Sequence, residues 1–129
     1  MDNLVMLNNT DLEAFDYYET RVQPSASLLD SYSDFVERMV LTTDRDRLAE
    51  NALGLVGESG EVAEKIKKFF RDGTLDTEAI QKELGDVIFY WMALSNALGI
   101  DSVTTITMNM DKLMARKNNG TLRGSGDNR

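Results

Sequence analysis

The chain has 129 residues, a net charge of −8, one proline, and neither cysteine nor histidine. This length fits one domain, and the missing residue types exclude disulfides, zinc fingers, thiol nucleophiles, Ser-His-Asp triads and haem ligation. The acidic balance argues against binding to duplex nucleic acid, and no apolar run approaches the roughly 18 residues of a membrane span.

The amino-terminal part of the chain predicts two helices. After an irregular start over residues 1–9, a capping box at Thr10 predicts a first helix over about 10–22. Pro24 ends that helix, and apolar residues at helical spacing predict a second one over about 27–39.

Three further helices are predicted downstream. The third runs over about 45–70, after a start signal at Thr43. The fourth begins near Asp76 and ends at Gly99, which suits the left-handed conformation that stops a helix. The fifth begins near Asp101 and ends near residue 117.

The β-branched residues over 102–108 offer a strand as the alternative to the fifth helix. Gly99 and Asp101 frame a helix start instead, so we predict a helix. The expected fold is all-α: an antiparallel bundle of four to five helices forming a single domain over 1–129, irregular at 119–129, with its active site between two helices.

One face of the third helix carries polar residues at alternating spacings of three and four. It lies about 60° from the apolar stripe of the same helix, so its carboxylates sit beside the core. The residues on this face are Asn51, Gly54, Glu58, Glu61, Lys65, Lys68 and Asp72.

The fourth helix is apolar throughout 87–94, and Glu83 and Asp86 precede this stretch. Burying two carboxylates without a partner costs several kcal/mol, and a bound cation removes that cost. If the third and fourth helices are antiparallel neighbours, Glu58-x-x-Glu61 and Glu83-x-x-Asp86 face each other. Four oxygen donors suit Mg²⁺, with Mn²⁺ as an alternative.

Each of these features also has a structural interpretation. A single carboxylate pair one turn apart is usually a solvated helix face, and Lys65 and Lys68 are natural partners for neighbouring glutamates. Four glycines near the carboxylates are consistent with close helix packing: Gly54, Gly57, Gly60 and Gly85. Asn109, Lys112 and Arg116 on the fifth helix form a solvated stripe or, beside a metal site, a phosphate clamp.

The stretch from Gly54 to Lys68, the following Arg71-Asp72-Gly73, and the segment from Lys82 to Val87 resemble the MazG-like nucleotide pyrophosphohydrolases of the all-α NTP pyrophosphatase superfamily. Asn109-x-x-Lys112-Leu-x-x-Arg116 and the Gly-rich tail from Gly124 to Arg129 share this resemblance. The first fifty residues match weakly, so the base and the sugar stay open.

The resemblance implies hydrolysis of a nucleoside triphosphate at the α–β phosphoanhydride, giving a monophosphate and pyrophosphate. It implies Mg²⁺ held by Glu58, Glu61, Glu83 and Asp86, with Glu58 or Glu61 as a possible general base. It also implies that the substrate is held by Lys65, Lys68, Asn109, Lys112 and Arg116.

Other functions stay open at this point: a dUTPase-like activity, hydrolysis of an alarmone of the ppGpp type, or a non-catalytic helical oligomerisation module. The intact set of four carboxylates argues against the last. We further expect a cytoplasmic protein, since no signal peptide is recognisable, and a homo-oligomer, either a dimer or a dimer of dimers. The tail from Gly124 is expected to reach the neighbouring active site.

Overall fold

A computed structural model describes residues 26–127 and contains four α-helices within that range. They are α1 (Ala26–Met39), α2 (Asp44–Asp72), α3 (Thr77–Leu98) and α4 (Ser102–Asn118). No strand occurs between residues 26 and 127, so the predicted all-α class is confirmed. The helix predicted over 10–22 lies outside the described residues. None of the four helices is long and apolar enough to cross a membrane.

The ends of α2 and α3 follow from local chemistry. Gly73 adopts a φ of 77° after α2, and its N–H donates to the carbonyl of Phe69 at 2.8 Å. Asp76 caps α3 by accepting a hydrogen bond from the N–H of Ala79 at 2.9 Å. Gly99 ends α3 with a φ of 66°. These positive φ values favour glycine because a Cβ would be strained there.

The start of α4 decides between helix and strand for residues 102–108. The carboxylate of Asp101 accepts hydrogen bonds from the N–H and the hydroxyl of Thr104, at 2.8 and 2.7 Å. This cap satisfies a donor that a helix start would otherwise leave free, and the segment is helical. The capping signal at Thr43 is weaker: Thr43 occupies the N-cap of α2, but its side chain makes no capping hydrogen bond.

The helix α3 forms the centre of the packing. It lies against α2 along most of its length and against α1 near its carboxyl end. Val36 of α1 and Met92 and Ala93 of α3 are fully buried and form the core. Beside them, the hydroxyl of Ser33 donates to the side-chain carbonyl of Asn96 at 2.7 Å, and the Asn96 amide donates back to the Ser33 backbone carbonyl at 3.0 Å.

The described residues divide into two compact units, 26–106 and 107–127. The first contains α1, α2, α3 and the first turn of α4. The second contains the rest of α4 and the segment that follows it, in which residues 121–127 form no helix. The single domain expected from the chain length stays a prediction.

Candidate metal centre

The helices α2 and α3 form an antiparallel hairpin joined by only four residues, 73–76. The two helices lie close together at Gly54, since a Cβ placed on it would lie 2.3 Å from Cε1 of Tyr90. Four residues further along α2 is Glu58, and four residues back along α3 is Asp86. The hairpin register therefore brings Glu58 and Asp86 to the same level of the contact between α2 and α3, which we call the seam.

Three carboxylates converge at this level. One oxygen each from Glu58, Glu83 and Asp86 lies within 4.8 Å of the other two. Glu58 and Glu83 are half-buried and Asp86 is exposed, so the group faces solvent from the edge of the seam. Carboxylate oxygens at this spacing suit a hard divalent cation.

Glu61 is exposed and lies outside this group of three. It nevertheless contributes to the electrostatics of the site. Desolvation is the largest cause that raises the pKa of the Glu58 carboxyl, followed by the negative charges of Asp86 and Glu83. The charge of Glu61 adds to the same effect. The structure thus places all four predicted carboxylates near one another and brings three of them within range of one ion.

The predicted phosphate-binding lysines of α2 make ion pairs. Lys65 extends across the seam to Glu83, with 3.1 Å between the ammonium nitrogen and a carboxylate oxygen. Hydrogen bonding to Glu83 raises the pKa of Lys65. Lys68 pairs with Glu64 on its own helix at 3.7 Å. The structural alternative drawn from the sequence paired these lysines with Glu61 and Glu64; Lys68 does pair with Glu64, whereas the ion pair of Lys65 is with Glu83 of α3.

The cations of α4 belong to the unit formed by residues 107–127. Arg116 is buried and donates to the carboxylate of Asp127 at 3.1 Å and to its backbone carbonyl at 2.9 Å. Lys112 lies 3.4 Å from the same carboxylate. Asn109 is exposed on the same helix. That these three residues bind substrate phosphates stays a prediction.

Tyr32 is a neighbour of the site that the sequence did not identify as one. It lies on α1 and packs against the core. Burial raises the pKa of its hydroxyl, and the negative charge of Asp86 raises it further. In the sequence Tyr32 is only one member of the apolar face of α1, and no local spacing relates it to a residue fifty-four positions away.

Comparison with known proteins identifies a family for this chain. The family model of the MazG nucleotide pyrophosphohydrolase domain matches residues 47–121, which include all the predicted site residues. A Mycobacterium phage L5 protein, "Gene 37 protein", is 46% identical over 82 residues that span 60% of this chain and 72% of that protein. No solved structure matches significantly. The chain belongs to the family of the MazG nucleotide pyrophosphohydrolase domain.

Proposed function

We propose that this protein is a Mg²⁺-dependent nucleoside triphosphate pyrophosphohydrolase that releases a nucleoside monophosphate and pyrophosphate. The observation that carries the proposal is the convergence of Glu58, Glu83 and Asp86 to within 4.8 Å. This convergence lies inside the segment matched by the pyrophosphohydrolase family model. Family membership and a site of suitable chemistry therefore coincide at the same residues.

The residues fit a divalent cation. All the donors are oxygens, and their mutual repulsion and desolvation raise the pKa of Glu58, which a positive ion would reverse. Glu58, Glu83 and Asp86 would hold Mg²⁺ or Mn²⁺, with Glu61 as the fourth acidic group. When bound, the ion supplies charge neutralisation of phosphate oxygens and a lower pKa for water.

The side chains of the protein hold the substrate and move a proton. We propose that Lys65 and Lys68 of α2, with Asn109, Lys112 and Arg116 of α4, bind the phosphate oxygens. Lys and Arg suit this task because they give charge-assisted hydrogen bonds. Either Glu58 or Glu61 acts as the general base that accepts a proton from the attacking water.

We also propose a homo-oligomer, in which a second copy covers an exposed apolar surface of α2. Leu53 and Val56 are each 71% exposed and Phe70 is 80% exposed. Helical spacing puts Leu53 and Val56 on the side of α2 opposite Glu58, and Phe70 lies about 20 Å further along the same helix. Exposed large apolar side chains of this kind are typical of an interface. Light scattering at micromolar concentration tests this, since particles of 14.5 kDa would contradict it.

The proposed activity is tested with a panel of nucleoside triphosphates, dUTP and an alarmone, each assayed with Mg²⁺. The products are separated as monophosphate plus pyrophosphate or diphosphate plus phosphate. We expect monophosphate and pyrophosphate, loss of turnover on exhaustive chelation, and recovery when Mg²⁺ or Mn²⁺ is restored. Release of inorganic phosphate alone, or full turnover after chelation, would contradict the proposal.

A further inference from the structure

Asn51 is a buried polar residue of α2 whose side-chain nitrogen has no hydrogen-bond partner among residues 26–127. It is 2% exposed, and its Nδ2 atom makes no hydrogen bond. An unpaired buried amide is unfavourable, and few such groups persist in native structures. The other described side chains with an unpaired buried nitrogen are Arg47 and Arg116, which still bond through other nitrogens of the same group. Asn51 therefore needs an explanation of its own.

The position of Asn51 relates it to the carboxylates. It lies on the same face of α2 as Gly54 and Glu58, one turn before the first and two turns before the second. Seven residues of helix place its backbone about 10 Å from that of Glu58. A nucleotide whose phosphates lie at the carboxylates spans such a distance with its sugar and base.

Tyr90 of α3 meets α2 at Gly54, which lies between these two residues. Its ring lies against Gly54, where a Cβ would meet three of its carbon atoms within 2.6 Å. Tyr90 follows Asp86 by one turn of α3, so the two residues lie on the same face of that helix. Because Asn51 is buried, a base reaches its amide only if a neighbouring side chain moves aside.

We propose that Asn51 is a specificity-determining residue whose Nδ2 donates a hydrogen bond to a keto oxygen at C4 of a pyrimidine base or C6 of a purine base. This inference rests on the proposed function, because it places the phosphates at Glu58, Glu83 and Asp86. An unpaired N–H donor is satisfied by O4 of uracil or thymine or by O6 of guanine. At these same positions cytosine and adenine carry amino groups, which are donors themselves and leave the Asn51 donor unpaired there.

The test compares substrates that differ at this one position. kcat/KM is measured for dUTP and dCTP with Mg²⁺, and Kd for dUMP and dCMP is measured by calorimetry. The comparison is made in the wild-type protein and in Asn51→Leu, which removes the donor at similar volume. Asn51→Asp, which replaces the donor by an acceptor, is the second variant. Circular dichroism checks that both variants fold.

The matched control is Ser95→Ala on α3. Ser95 is also buried and polar, but its hydroxyl already donates to the carbonyl of Trp91 at 2.8 Å. The control should change stability and leave the preference between the two bases as it is in the wild type.

We expect the wild type to prefer the uracil nucleotide, and Asn51→Leu to reduce that preference by about tenfold to a hundredfold. An unchanged ratio in Asn51→Leu, or a wild type without preference, would overturn the inference. A wild type that hydrolyses no nucleotide contradicts the proposed function, and the Kd ratio of the monophosphates then still decides the role of Asn51.

Discussion

The two halves of α3 have opposite surroundings. The carboxyl-terminal half contributes Met92 and Ala93, which are fully buried, to the core. The amino-terminal half carries Glu83 and Asp86, which stand with Glu58 at the edge of the seam with α2. Stability is therefore concentrated in one half of the helix and charge in the other. One continuous helix holds the charged groups in place without requiring that they stabilise the fold.

The largest expected effect is a loss of stability from a substitution in the buried half of α3. Met92→Ala should lower the free energy of unfolding by about 2–5 kcal/mol. Met92 is fully buried, so its truncation leaves a cavity in the core. The measurement is chemical denaturation. Met108→Ala is the matched control, since Met108 is 66% exposed and should change stability by no more than about 0.5 kcal/mol. Equal losses in the two variants would contradict the assignment of the core.

Substitutions in the charged half of α3 should instead reduce activity and leave the fold unchanged. Glu83→Gln should reduce kcat/KM by about 100-fold or more, because it removes a proposed metal ligand and the partner of Lys65. Its far-ultraviolet circular dichroism should stay that of the wild type. Glu78→Gln on the same helix is the control, since it removes a carboxylate that pairs with Lys82 at 2.8 Å and lies outside the group of three. A loss of activity in Glu78→Gln as large as in Glu83→Gln would remove the distinction between them.

The seam itself is tested with two glycines of α2. Gly54→Ala should destabilise the protein by about 1–3 kcal/mol, because its Cβ would overlap the ring of Tyr90. Gly57→Ala should stabilise it by up to about 1 kcal/mol, since no atom of the described residues lies within 4 Å of the new Cβ and alanine favours the helix. Thermal unfolding of both variants shows whether each substitution raises or lowers the stability. The same sign in both would contradict the close approach at Gly54.

The smallest effect concerns a pair at the protein surface. Arg47 donates to Glu37 at 2.8 Å, and this hydrogen bond lowers the pKa of Glu37. A lowered carboxyl pKa contributes stability above the ordinary glutamate pKa, and this contribution is lost as the pH falls through the lowered value. Glu37→Gln should therefore cost less than about 1 kcal/mol at pH 7.

Unfolding of the wild type and of Glu37→Gln at low pH is the control for this prediction. Once Glu37 is protonated, the wild type and Glu37→Gln should unfold at the same denaturant concentration. High salt should reduce the difference at pH 7, because the pair is partly exposed. A difference that persists at low pH would mean that Glu37 acts through packing rather than charge.

The sequence was sufficient where structure depends on neighbours along the chain. Asp76, Gly73 and Gly99 act through bonds to residues within four positions, so the ends of α2 and α3 could be predicted within about two residues. The helical face shared by Glu58 and Glu61 also follows from spacing alone. Both predictions use only the period of the helix.

The sequence was insufficient where the partner lies on another helix. The partner of Lys65 is Glu83, and no spacing within α2 could identify it. Four glycines had the same local pattern, yet among them only Gly54 meets a neighbouring side chain at its Cβ position. Such contacts depend on how α2 and α3 align, which the hairpin register fixes and composition does not.

The register of the hairpin also determines where the chain can change length. An extra residue in the link over 73–76 would alter only the turn, because doubling the length of a flexible loop costs about 0.6 kcal/mol. An extra residue in α2 between Gly54 and Glu58 would rotate everything after it by about 100°. Glu58 would then leave the seam while Gly54 stayed beneath Tyr90. Insertions and deletions are therefore tolerated at the turn, whereas the stretch between these two residues has a fixed length.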